Sequence, residues 1–180
     1  GDRVLYAIPH SVKLETSLMS YAFPTEKRNL ENYIFKALGK TENELIAAYD
    51  LGTFQMRVQS LNRTLIDKIF AVCDYYLQGK AHRNARHLYD IYKLSKYVRI
   101  DKDFLELVGE VRNHRIEMGT NIAPSAPLEV NIPELVEKIC DDDFYKIDYK
   151  ETTLKLISDN LSYDEVKNHY REIAIKIFEN

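Results

Sequence analysis

Two consecutive stretches, Arg63-Thr-Leu-Ile-Asp-Lys68 continued to Leu77 and Arg86-His-Leu-Tyr-Asp90 continued to Tyr97, decide how this chain is read. Placed at about 100° per residue, Leu65, Ile66, Ile69, Phe70, Val72, Cys73, Tyr76 and Leu77 fill a broad apolar arc of the first stretch. Thr64, Asp67, Lys68, Ala71, Asp74 and Tyr75 fill the remainder. In the second, Leu88, Ile91, Tyr92 and Leu94 form the apolar side, and Arg86, Asp90, Lys93 and Tyr97 form a polar ridge. Both read as amphipathic helices that point charge away from a core. Arg86 and Asp90 stand one turn apart, the spacing of an ion pair worth about 0.2–0.5 kcal/mol on a solvated face. A lysine and an aspartate on neighbouring helices also suit polyphosphate chemistry, the lysine as a point charge for a triphosphate and the aspartate positioning the reacting groups. Spacing alone leaves both readings open.

The bulk composition bounds the class. A chain of 180 residues with 45% hydrophobic and 29% charged residues can bury one good core and has no compositional reason to be disordered. A net charge of -3 argues against a surface coated for nucleic acid, yet between Lys80 and Arg99 the bases Lys80, Arg83, Arg86, Lys93, Lys96 and Arg99 face one acid, Asp90. That cluster is a candidate for holding the phosphates of a nucleotide or of an RNA, against the plainer reading of a solvated surface. Cys73 and Cys140 are too few and too far apart for a disulfide framework, which points to a reducing cytoplasm. No apolar run is long enough to span a membrane, and no secretion signal is visible at Gly1.

Along the chain, Val12, Leu14, Thr16 and Leu18 alternate with Lys13, Glu15, Ser17 and Met19, the period of a half-buried strand, with Arg3 to Ile8 as its shorter neighbour. After Pro24, Leu30, Ile34 and Leu38 predict a helix ending at Gly39. Thr41-Glu-Asn-Glu44 has the form of a capping box opening a second helix to about Tyr49. Phe54, Met56 and Val58 predict another strand. Beyond it only helices are expected, over 64–78, 85–98, 102–118, 132–140, 149–158 and 163–179, with Asn131 and Ser162 as N-caps. Ala123-Pro-Ser-Ala-Pro127 reads as a flexible connector. The expected fold is α+β: a small, incomplete N-terminal sheet in residues 1–62 packed on a predominantly helical part, 63–180.

Thr64-Leu-Ile-Asp-Lys68, Asp74-Tyr-Tyr-Leu77 and Arg86-His-Leu-Tyr-Asp90-Ile-Tyr-Lys-Leu94 together resemble the C-terminal signature of the AbiEii/AbiGii toxin family of nucleotidyltransferases. Val12-Lys-Leu-Glu15 followed by Pro24 is similar to that family's core strand and exit, and Asp148-Tyr149 with Leu161-Ser-Tyr-Asp-Glu165 to its closing helices. The resemblance implies a nucleotidyltransferase-type α/β half joined to a helical half. It also implies Mg²⁺-dependent transfer of a nucleotide from an NTP to an RNA, tRNA among the acceptors, and a cognate antitoxin in a toxin–antitoxin or phage-defence system. Lys68 would take the role of the family's lysine and Asp90 that of the aspartate in its Arg-x-x-x-Asp helix. Arg86, Arg83 and Lys93 would assist substrate binding.

The family's two other motifs, a Gly-Ser turn that cradles phosphate and an Asp-x-Asp strand that binds metal, are not matched. No Gly-Ser dipeptide occurs, and Asp141-Asp-Asp143 falls at an expected helix end. Carboxylates that clamp Mg²⁺ are central to nucleotidyl transfer, so the chain is expected to be the C-terminal portion of a longer transferase or a degenerate relative, inactive alone. Glu15 is the one further carboxylate candidate, on the polar side of its strand.

Two other classes stay open. A non-catalytic helical module would use the basic 80–99 surface to bind RNA or a protein. A helical ribonuclease would use Arg83-Asn-Ala-Arg-His87 or Arg112-Asn-His114-Arg115, although the spacings match poorly. His10 and His169 have no companions at a zinc-ligand spacing. The tyrosines Tyr76, Tyr89, Tyr92 and Tyr97 recur at helical intervals that suit packing with the hydroxyl at the rim of the core.

Overall fold

In the computed structural model, which describes residues 23–38 and 43–179, Ser60 is where sheet gives way to helices. Its N–H donates to Pro24 O at 2.9 Å, closing the sheet, and its hydroxyl accepts from Arg63 N at 3.2 Å, capping the helix that follows. Before it, β1 (Thr25–Leu30) pairs antiparallel with β2 (Phe54–Gln59), in register from Thr25 opposite Gln59 to Leu30 opposite Phe54. Two short helices, α1 (Tyr33–Leu38) and α2 (Asn43–Ala48), lie between the strands.

The expected strand at Phe54 is present, but the segment after Pro24 differs from expectation. Leu30 belongs to β1, and only Tyr33–Leu38 is helical. The ladder with β2 satisfies the backbone groups of Thr25–Leu30, whereas α1 buries no side chain, so the sparse apolar spacing of Leu30, Ile34 and Leu38 had little to offer a longer helix. Asn32 then caps α1, accepting from Phe35 N at 2.7 Å and donating to Leu51 O at 3.0 Å. The expected strands at 3–8 and 12–19, the helix stop at Gly39 and Thr41 of the capping box lie outside the described residues, as do Glu15 and His10.

The helical part is built around α3 (Leu61–Leu77), which packs against α4 (Arg86–Leu94), α5 (Lys102–Glu117) and α6 (Ile132–Asp141). The long closing helix α8 (Tyr163–Phe178) covers α4, α6 and the short α7 (Lys146–Glu151). The apolar arc of α3 is buried as its periodicity requires, except that at the helix end Tyr76 is half-buried and Leu77 is exposed. Gly79 and Gly119 end α3 and α5 at φ of 68° and 82°, a region that costs other residues about 1–2 kcal/mol. Asn131 caps α6, and Ser162 with Glu165 forms a full capping box on α8. The sequence spans 85–98 and 149–158 each resolve into an α-helix and a 3₁₀ turn, Ser95–Tyr97 and Thr153–Lys155. The fold is α+β, mostly helical, with a small antiparallel sheet.

The Ala123–Pro127 segment is not a loose connector. Ala123, Ser125 and Ala126 are buried, and Arg112 of α5 donates to the carbonyls of Ala126, Pro127 and Val130 at 2.7–2.9 Å. Ser125 donates from both N–H and hydroxyl to Asp74, at 2.9 and 2.6 Å.

Candidate functional site

Lys68 of α3 and Asp90 of α4 meet across the helix interface, with Nζ 3.0 Å from Oδ2. His87, one turn before Asp90, completes the cluster: its Nδ1 lies 3.1 Å from Lys68 Nζ and 3.7 Å from Asp90 Oδ2. Burial, assisted by the neighbouring Lys68 and Arg86 charges, pushes the His87 imidazole below its ordinary range although Asp90 opposes the shift. A neutral imidazole with its proton on Nε2 offers Nδ1 as an acceptor. Burial alone would raise the Asp90 carboxyl, but the adjacent His87 and Lys68 outweigh it and hold the group below the usual carboxylate range. Asp90 is therefore an anion at neutral pH. The Lys68 ammonium thus has acceptors on two sides, and among the described residues no partner is placed on its third N–H.

Lys68 lines a groove of about 400 Å³ whose wall also includes His87, Tyr75, Gln78 and Arg115. Arg115 reaches in from α5. It pairs with Asp74, lies 3.6 Å from Asp67, and sits over the Phe70 ring at 5.1 Å. Asp67 also accepts from Gln59 of β2 at 2.6 Å and from Arg63 at 2.9 Å, so the groove borders the junction of sheet and helices. Around it Lys68, Arg115 and Arg63 are matched, charge for charge, by Asp90, Asp74 and Asp67.

The remaining predicted site residues lie elsewhere. Arg83 and Arg86 are exposed at the start of α4, on a separate pocket shared with Lys155. Lys93 bonds to Asp159 at 2.7 Å, as does the Tyr89 hydroxyl, which directs that ammonium away from Lys68. The local Arg86–Asp90 ion pair is replaced by the cross-helix contact with Lys68. Of the tyrosines, Tyr76 and Tyr89 use their hydroxyls on Asp142 and Asp159 and Tyr92 packs edge-on to His169 at 5.0 Å, but Tyr97 is 76% exposed.

Three residues that position the site escaped the sequence reading. Asp74 was placed on the polar side of α3, yet it is buried under Arg115 and Ser125. Arg115, which the sequence offers only as part of Arg112-Asn-His114-Arg115, reaches from α5 into the groove wall to pair with Asp74. Asp148 of α7 is buried and accepts from the backbone N–H of Arg83 at 2.9 Å and of Ala85 at 3.1 Å. α4 has no side-chain cap of its own, so Asp148 satisfies amides at its start and fixes where Arg83, Arg86 and His87 emerge. Only the charged residue types are legible in the sequence, because all three roles depend on contacts between distant segments.

Among the described residues, no group of three or more His, Cys, Asp or Glu is placed to hold a metal ion. Asp141 is taken by Arg171, and Asp143 by Lys146 and Lys167, each at 2.6 Å. Asp101-Lys-Asp103 has the Asp-x-Asp spacing too, but Asp101 caps α5. These residues do not make a Mg²⁺ clamp. Among them, no helix is long and apolar enough to cross a membrane.

Neither the curated proteins nor the solved structures contain a match to this chain. A family model does match, described as nucleotidyl transferase AbiEii toxin, type IV toxin–antitoxin system, and it covers residues 2–180. With the match running over nearly the whole chain, and with the lysine and aspartate of the resemblance in contact, this chain belongs to the AbiEii nucleotidyl transferase toxin family.

Proposed function

We propose that this chain supplies the lysine–aspartate side of a nucleotidyl transfer site, in which a nucleotide passes from an NTP to an RNA acceptor such as tRNA. The observation that carries the proposal is the Lys68–Asp90–His87 cluster, with Nζ held between a carboxylate at 3.0 Å and an imidazole nitrogen at 3.1 Å beside an open groove. Held this way, the ammonium is presented as an oriented point charge, and an NTP phosphate oxygen takes its third N–H. Asp90 orients Lys68, His87 excludes water from one side of the pair, and Arg86, one turn before Asp90 on α4, guides a phosphate toward it.

The groove's own charges are balanced, so a triphosphate entering it gains little net attraction from these residues alone. Divalent metal supplies that missing charge in nucleotidyl transfer. We place its carboxylates outside residues 23–179, Glu15 being a candidate within this chain, and read the 180-residue chain as inactive by itself. The setting is the cytoplasm, where NTP, RNA and a cognate antitoxin meet, in a system that serves phage defence.

The test is Mg²⁺-dependent labelling of RNA from α-labelled NTPs. The product of the complete reading frame labels RNA, the Lys68→Met and Asp90→Asn forms of it do not, and the 180-residue chain alone does not. Full labelling by the Lys68→Met protein would overturn the role given to the cluster. Labelling by the 180-residue chain would overturn its inactivity.

A further inference from the structure

The pocket that holds Arg83 and Arg86 differs in kind from the Lys68 groove. It encloses about 380 Å³ between the start of α4 and the turn that follows α7, and Lys155, Thr152 and Thr153 complete its wall. Three cations face a single acid there, Glu151, whereas charge in the Lys68 groove is matched. Among the described residues none of the three cations is held in an ion pair in the way that Arg115 or Lys93 is, which leaves their charge for a ligand. The backbone presents them firmly: Arg83 stands at φ 63° with its N–H on Asp148, and Thr152 donates its hydroxyl to the same carboxylate at 3.1 Å.

A second observation points independently to a ligand. Thr153 is 2% exposed, and its Oγ1 is sealed from solvent without a hydrogen-bond partner among the described residues. An unpaired buried hydroxyl costs about 1–3 kcal/mol, and such groups are few in folded proteins. Here the orphan donor lies in the wall of a net-positive pocket.

We propose that this pocket is a phosphate subsite for the RNA acceptor, with Arg83, Arg86 and Lys155 neutralising a backbone phosphodiester and Thr153, once its side chain rotates to bring the sealed hydroxyl into the pocket, donating to one of its oxygens. It rests on the reading of the chain as an RNA-modifying transferase and adds to it where the second substrate is held. The proposed NTP groove is at Lys68; Arg86 of this pocket is one turn before Asp90 on α4, and Asp90 bonds Lys68 of that groove, so a single helical turn links the two.

The experiment measures binding of a fluorescently labelled single-stranded RNA, and of bulk tRNA, to the 180-residue chain over a series of salt concentrations. Lys155→Glu should weaken binding on the order of tenfold, and loss of one phosphate contact should reduce the salt slope by about 0.7. Thr153→Val keeps the side-chain shape, so it should weaken RNA binding while Tm holds or rises. A purely structural hydroxyl would instead lower Tm and leave RNA affinity alone. RNA affinity unchanged in both variants overturns the subsite. So does displacement of the RNA by ATP, which would assign the pocket to the triphosphate. If both variants lose RNA while Lys68→Met leaves transfer by the complete protein intact, the subsite stands and the transferase role of Lys68 falls.

Discussion

The ring of Tyr75 on α3 lies nearly parallel to the imidazole of His87 on α4, with centroids 5.7 Å apart and planes 6° from coincident. Tyr75 therefore roofs the histidine whose Nδ1 accepts from Lys68. Burial of the imidazole, together with the Lys68 and Arg86 charges beside it, is why it resists a proton.

That resistance makes stability depend on pH in a defined direction. The folded-state value of His87 is below the ordinary value of about 6.5, so above that pH the residue is neutral in both states and its contribution is complete. As pH falls through 6.5 the unfolded chain takes up a proton that the folded site refuses, and stability drops. His169, also lowered by burial, adds an effect of the same sign. The expected result is a Tm that declines from pH 7.5 to 5.5, less steeply in His87→Gln. Identical slopes in the two proteins would show that His87 does not titrate this way.

Lys68 and Asp90 retain 28% and 34% of their side-chain exposure, so their ion pair is screened and contributes roughly 0–1 kcal/mol to stability. Lys68→Met and Asp90→Asn should consequently move the urea midpoint little. Transfer by the complete protein should fall on the order of 100-fold or more in each. A stability loss that tracks the loss of activity would mark the pair as scaffold instead.

Asp74 is different because it is buried with Arg115 and both donors of Ser125. Removing the carboxylate in Asp74→Ala leaves the half-buried guanidinium with only Asp67, 3.6 Å away, and leaves both Ser125 donors without that acceptor, which should cost about 3 kcal/mol, read from urea unfolding. The paired change Asp74→Leu with Arg115→Met should recover much of it. A loss under 1 kcal/mol for Asp74→Ala would mean that water reaches Arg115.

Asp148→Ala removes the acceptor for the amides of Arg83 and Ala85 and should cost about 1–3 kcal/mol. Its specific signature is local: amide hydrogen exchange should accelerate over residues 83–87 more than in the centre of α3. Uniform acceleration would assign Asp148 to the general core.

How much of this could be read in advance varies with the range of the interaction. The apolar arc of α3 and the caps at Asn131 and Ser162 depend on residues within a turn of one another, and the sequence pattern located them. Family motifs singled out Lys68 and Asp90 in the same way. The local ion-pair rule, however, assigned Asp90 to Arg86, because it considers one helix at a time and cannot include the lysine brought to 3.0 Å by packing against the next. The same limit hid the burial of Asp74 and made Ala123–Pro127 look loose, since its partners Asp74 and Arg112 are contributed by helices α3 and α5.

The sequence by itself determined which segments beyond Ser60 are helical, which of their faces are apolar and which family signature the chain carries, since periodicity, capping chemistry and motif spacing are local properties. Tertiary structure alone decided that Thr25–Leu30 joins a strand, that Lys68 and His87 share a groove while Lys93 turns to Asp159, and that Arg83 and Arg86 gather with Lys155. Those outcomes depend on which charges and backbone groups become close once the helices pack, and residue order does not specify that proximity one segment at a time.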